Sequence, residues 1–121
     1  MYINSKLSYS VIENISNKDF QALWIEVKLS KRKNIICGIV YRQHSSPEAF
    51  LTYIDDTIEK YSLKDKSLYL LGDFNIDLLK FETCNYSQNF LLTLQSCNLT
   101  PTIDKPTRVY NNSATLIDNI F

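Results

Sequence analysis

An apolar run, Leu68-Tyr69-Leu70-Leu71, stops abruptly at Gly72-Asp73-Phe74-Asn75. This junction constrains the fold more than any other segment. Bounded by Lys66-Ser67 and by Gly72, the run is too short and too uniformly apolar for an amphipathic helix, and it predicts an interior strand. Asp73 and Asn75 then stand where that strand leaves the sheet. Residues two apart in an extended chain point the same way, so both polar side chains can face one cleft while Phe74 turns back into the core. An acid and an amide in one pocket suit Mg²⁺ and phosphate chemistry, because Mg²⁺ prefers hard oxygen ligands and completes its shell with water and substrate phosphate. Gly, Asp and Asn are also turn formers, and taken alone the tetrapeptide reads more simply as a strand followed by an Asx-type turn.

The rest of the chain alternates between strand and helix patterns. Met1-Tyr2-Ile3 and Tyr9-Ser10-Val11-Ile12 predict a hairpin about a turn at Asn4-Ser5-Lys6. From Phe20 to Leu29 the period is two, with Leu23, Ile25, Val27 and Leu29 on one face and Trp24, Glu26 and Lys28 on the other. Trp24 need not be exposed if a second layer covers its face. A basic turn, Lys31-Arg32-Lys33-Asn34, precedes a β-branched run from Ile35 to Tyr41; such a turn is solvated or touches a backbone phosphate. Ser45-Ser46-Pro47-Glu48 then predicts a helix start with a hydroxyl cap and Pro at the first helical position. Phe50, Leu51, Ile54, Ile58 and Tyr61 recur at helical spacing and predict one buried face on a helix ending near Ser62. Strand, helix, strand is a crossover unit, so the Ile35 and Ser67 strands are expected to run parallel. A second helix is expected over Ser87 to Cys97, a surface loop from Asn98 to Asn112 punctuated by Pro101 and Pro106, and a last strand from Ala114 to Phe121.

Composition bounds the class. With 121 residues, 45% hydrophobic and 21% charged, the chain can form one domain with a real core. Formal net charge is zero, so nucleic-acid binding would need a local basic face. Cys37, Cys84 and Cys97 are odd in number and lack paired spacing, which argues against a disulfide framework or a zinc site. No stretch approaches the roughly 20 apolar residues of a membrane span, and the amino terminus lacks a signal pattern. A soluble, intracellular chain with no membrane partner is the expectation.

Three segments carry a resemblance. Gly38-Ile39-Val40-Tyr41-Arg42, Leu71-Gly72-Asp73-Phe74-Asn75, and Pro106-Thr107-Arg108 followed by Ser113 to Phe121 with Leu116-Ile117-Asp118-Asn119-Ile120-Phe121 resemble, in order and spacing, blocks of the endonuclease/exonuclease/phosphatase superfamily. More narrowly they are similar to the endonuclease domain of LINE-type (non-LTR) retrotransposon polyproteins. The resemblance spans most of the chain and implies an α/β (α+β) fold, a partial four-layer sandwich of the DNase I-like type over residues 1–121. It also implies Mg²⁺ as cofactor, DNA as partner, a nuclear setting, and hydrolysis of a phosphodiester that nicks one DNA strand. Two family features are expected to be missing, the upstream glutamate that holds the metal and the downstream histidine that contacts the scissile phosphate. His44, the lone histidine, does not replace the latter. The expectation is therefore weak or no activity, with no metal ligand assigned. The alternatives are another phosphoesterase of the superfamily, acting on RNA or small phosphate esters, and a non-catalytic remnant or binding module.

The same resemblance implies roles residue by residue. Asp73 would act as base or orienter for the attacking water, and Asn75 would donate its amide to the water or a phosphate oxygen. Tyr41 would set its hydroxyl beside that phosphate, where the simpler reading is a strand-end aromatic packed on the core. Arg42 would grip a flanking phosphate. Asp118 would orient the missing histidine. Thr107, Arg108 and Ser113 would lie near the DNA backbone, or serve as ordinary loop residues.

Overall fold

The computed structural model describes residues 2–44 and 47–121. Strands form on the period-two segment from Phe20 and on the apolar runs from Ile35 and Ser67, and at further places besides. They are β1 (Ser8–Ser16), β2 (Phe20–Lys28), β3 (Ile35–Arg42), β4 (Ser67–Asp73), β5 (Arg108–Tyr110), β6 (Ser113–Thr115) and β7 (Asp118–Ile120). Two helices, α1 (Glu48–Ser62) and α2 (Asn85–Ser96), and a 3₁₀ turn at Leu78–Lys80 complete the elements. One sheet has the order β1-β2-β3-β4-β7, and β5 pairs with β6 in a separate ribbon. β3 and β4 run parallel, joined by α1 as the crossover unit predicts, while the other pairs in the main sheet are antiparallel.

The fold is therefore of the α/β class, with one five-stranded mixed sheet and both helices packed on the same face. Phe20, Ala22 and Trp24 of β2, Val40 of β3 and Leu70 of β4 share a core with Phe50, Ile54, Ile58 and Tyr61 of α1 and with Phe90 and Leu94 of α2. Trp24 is fully buried there. Its ring fills the space a Cβ would need at Gly38 on the neighbouring strand, which explains a glycine in the middle of a β-branched run. Gly72 is the second close approach, at φ 153°, where a side chain would collide with the Val40 carbonyl.

A bulge in β1 between Val11 and Glu13 turns Glu13 toward α1. Its carboxylate accepts from the Tyr53 hydroxyl at 2.9 Å and the Tyr61 hydroxyl at 3.3 Å, and the Trp24 indole N–H donates to the Tyr53 oxygen at 2.8 Å. Burial, then the Glu13 charge, pushes the Tyr61 phenol up to about 12. Burial raises the Tyr53 phenol as well.

Several expectations are corrected. Tyr2 and Ile3 form no strand, and the hairpin is instead β1 with β2 (Met1 lies outside the described residues). The hydroxyl cap expected at Ser45-Ser46 also lies outside them, and Pro47 occupies the cap position of α1 rather than the first helical one. The loop expected from Asn98 to Asn112 contains β5. The single strand expected from Ala114 to Phe121 is broken at Leu116-Ile117 into β6, which closes the ribbon, and β7, which joins the main sheet. At the break the Leu116 and Ile117 carbonyls leave the ladder and accept instead from the Leu78 N–H at 2.9 Å and the Phe74 N–H at 2.8 Å, with both side chains buried.

Gly38→Ala is expected to cost about 1–3 kcal/mol by overpacking Trp24, read as a lower urea midpoint with an unchanged slope. The raised phenols give a second prediction. Protons held by the fold above their release from the unfolded chain stabilise it fully below about pH 10, and that contribution is lost as pH climbs toward about 12. Tyr61→Phe should flatten this alkaline decline in a stability-versus-pH series.

Candidate functional site

Parallel pairing of β3 with β4 and antiparallel pairing of β4 with β7 decide what meets at one end of the sheet. Tyr41 is in register with Asp73, and Asp73 with Asp118. Register partners project from the same face, with Cβ atoms about 4.5–5.5 Å apart across an antiparallel pair. Three residues taken from three separate sequence blocks thus stand abreast. They face away from the helices. Tyr41 is 48% exposed, so it does not pack on the core.

Asp73 is bound on both oxygens. Its Oδ1 accepts the Asn75 N–H at 3.1 Å, an Asx turn, and its Oδ2 accepts from the Arg108 guanidinium at 2.7 Å. The Asp73 side chain is largely buried, whereas Arg108 reaches in from the exposed β5–β6 ribbon. Asp118 makes no side-chain hydrogen bond or ion pair among the described residues. Its N–H and that of Ile117 both approach the Thr107 hydroxyl at 3.3 Å, so Thr107 fixes the crossing from ribbon to sheet. Ser113 donates to the Tyr110 carbonyl at 2.9 Å and closes the ribbon turn, beside the exposed Val109 and Tyr110.

Arg42 and Asn75 lie elsewhere, and the cleft expected to hold both Asp73 and Asn75 is corrected. The strand ends at Asp73, and Asn75 takes a left-handed φ of 48°. Its amide donates to the Arg42 carbonyl at 2.6 Å, while the Arg42 guanidinium donates to the Phe74 carbonyl at 2.7 Å and the Asn75 carbonyl at 2.6 Å. This reciprocal latch is buried on the helix side, since Arg42 is only 4% exposed. Burial pulls the guanidinium below its ordinary value, and the Asp73 charge opposes that shift. Arg42 is therefore a clamp on the turn after β4, not a surface cation. Phe74, between the two polar residues, turns into the core as expected.

Sequence reasoning missed two features beside the latch. Asp77 ties this turn to the segment before β7, its Oδ1 accepting the Leu79 N–H at 3.2 Å and the Leu116 N–H at 3.0 Å. An Asp just ahead of Leu78-Leu79 is a capping signal that could have located it. Arg42, Asn75, Asp77, Lys80, Cys84 and His44 also line a cavity of about 250 Å³ on the helix side. Hydrogen bonds from Ser87 lower the Cys84 thiol there.

Two neighbouring carboxylates are hard oxygen donors of the kind Mg²⁺ takes. As arranged, however, Asp73 is already held by Arg108, and no group of three or more His, Cys, Asp or Glu able to hold a metal ion occurs among the described residues.

The latch gives a paired prediction. Asn75→Gly removes the amide but keeps the left-handed backbone, whereas Asn75→Ala loses both, so the alanine variant should be about 1–2 kcal/mol less stable than the glycine variant in urea unfolding. Scanned against protein-family models the chain matches none, and compared with curated proteins it again finds no match.

Proposed function

We propose that the ends of β3, β4 and β7 form part of a phosphodiester-hydrolysing site that acts on DNA, as the resemblance to the endonuclease domain of LINE-type retrotransposons implies. The observation that carries this reading is the register of Tyr41, Asp73 and Asp118 across three adjacent strands. A phenol and two carboxylates side by side, with Arg108 and Thr107 brought in by the next segment, offer a phosphate both a cation and hydroxyl donors. In this reading Arg108 moves from Asp73 to a backbone phosphate, and the freed Asp73 carboxylate orients or deprotonates the attacking water. Tyr41 donates to the phosphate. Arg42 and Asn75 act from below by fixing the turn that carries Asp73, not by touching substrate.

The DNase I-like four-layer sandwich belongs to the same proposal, one sheet with one helix layer supplying half of it. Mg²⁺ and a nuclear setting belong to it through the resemblance. Turnover should be weak, because only two carboxylates meet here and one carries an arginine. Among the described residues no helix is long and apolar enough to cross a membrane.

Nuclear magnetic resonance titration with a short DNA duplex, paired with nicking of supercoiled plasmid in Mg²⁺, tests this. Shift changes should centre on Tyr41, Asp73, Arg108 and Asp118, with nicking at or barely above background. Arg108→Ala should weaken binding across all sequences alike, as loss of a phosphate contact does. No shift at these strand ends, or displacement of the duplex by inositol phosphate at lower concentration than DNA, would overturn the reading.

A further inference from the structure

The row of register partners that carries Tyr41, Asp73 and Asp118 continues beyond β3. Tyr41 is in register with Gln21 of β2, and Gln21 with Ser16 of β1, so one polar residue from each of the five strands stands abreast at the same rim of the sheet. The next row on that face is Asn14, Leu23, Ile39, Leu71 and Ile120, apolar but for Asn14. A polar border thus crosses the whole sheet at right angles to its strands. Ser16, Gln21 and Tyr41 are exposed, and none of their side chains makes a hydrogen bond among the described residues. Beside them lies a cavity of about 180 Å³, whose walls also include Asn14, Leu23 and Ile39. The turn from β1 to β2 sits at this rim, pinned by the Asn17 Oδ1, which accepts the Asp19 N–H at 2.8 Å and the Phe20 N–H at 2.9 Å. It carries Lys18, exposed and without an ion pair among the described residues.

We propose that the DNA strand whose phosphate the candidate site takes runs along this rim, across the β-strands, with Gln21 and Ser16 as further backbone contacts and Lys18 as a second phosphate cation at the far end. The inference deepens the phosphodiester reading and rests on it. Hydroxyls and carboxamides are among the groups that DNA-binding proteins turn to phosphate and sugar, and such contacts fix the course of the strand without reading its sequence. Strands about 4.8 Å apart make a five-strand rim roughly 19 Å long. That length matches about five or six base steps of ~3.4 Å. Charge decides the direction. From Tyr41 to Ser16 the row holds no carboxylate, so a phosphate there meets only hydrogen-bond donors. At the other end Arg108 already offsets Asp73, and Arg108 and Lys18 bracket the rim with one cation at each end. A course parallel to the β-strands would instead carry the phosphates over Leu23, Ile39 and Leu71, which offer them no hydrogen bond. The cavity suits the neutral part of the same strand, its Leu23 and Ile39 wall meeting the carbons of a deoxyribose.

Binding of a short DNA duplex to the full chain, followed by nuclear magnetic resonance and repeated over a range of salt concentrations, tests the course of the strand. The Gln21 side-chain amide and the Ser16 and Lys18 backbone signals should move together with those of Tyr41 and Arg108. Gln21→Ala, which removes a neutral contact, should weaken binding about two- to tenfold and leave the dependence of affinity on salt unchanged. Lys18→Ala, which removes a cation, should lower the salt slope by about one. Both side chains are exposed, so neither substitution disturbs the core. Shifts at Tyr41, Asp73 and Arg108 with Ser16 and Gln21 unmoved, or an affinity indifferent to both substitutions, would sink the inference and leave the phosphodiester reading standing. Absence of shifts at Tyr41, Asp73 and Arg108 as well removes that reading, and this inference with it.

Discussion

Parallel pairing between β3 and β4 is the constraint on which the rest of the structure depends. A parallel neighbour cannot be reached by a tight turn, so the chain must cross over the sheet, and α1 is that crossing. Once α1 lies on one face, every bulky residue of β2, β3 and β4 pointing that way has a partner. Trp24 meets Tyr61 with ring centroids 4.9 Å apart, and Phe74 meets Phe90 at 5.0 Å. The same pairing aligns the ends of the two strands. Tyr41 comes beside Asp73 because the register begun at Ile35 and Ser67 runs without interruption to that point.

The turn after β4 shows how local chemistry then sorts neighbours in sequence onto opposite sides. Tyr41 stays on the open face while Arg42, one residue on, goes under the sheet. Asp73 stays with Tyr41, and the left-handed Asn75 goes with Arg42. A guanidinium hidden from water is tolerable because two carbonyls accept from it, and charge-assisted bonds of this kind hold a turn more firmly than neutral ones. The polar residues of one short motif thus divide between presenting chemistry and fixing the backbone that presents it.

Much of this was legible in the sequence, and what was not has definite causes. Periodicity located β2, β3, α1, β4 and α2 closely, because each buries one stripe or one run of side chains under a single layer. It also allowed Trp24 to be buried. The Asx turn after Asp73 was readable from turn chemistry, and the structure has that turn. Periodicity failed where pairing is short and set from a distance. The β5–β6 ribbon has only three residues in each strand, and its existence depends on Thr107 and Thr115 closing its base. Spacing could not separate the side chains of Asp73 and Asn75 either, because the rule that residues two apart share a face lapses once the backbone leaves extended geometry. Nor could a sequence show that Arg42 would find two carbonyls beneath the sheet.

The two margins of the sheet lead to one more consequence. On the β1 side the bulge at Ile12 interrupts the outward row of N–H and C=O groups, so an incoming strand cannot pair along its whole length. On the β7 side the strand is short, and the segment at Thr102 already donates to the Ile120 carbonyl. Both margins are therefore poor templates for adding strands, the route by which exposed sheets grow into fibrils. Growth by edge addition is disfavoured at both margins.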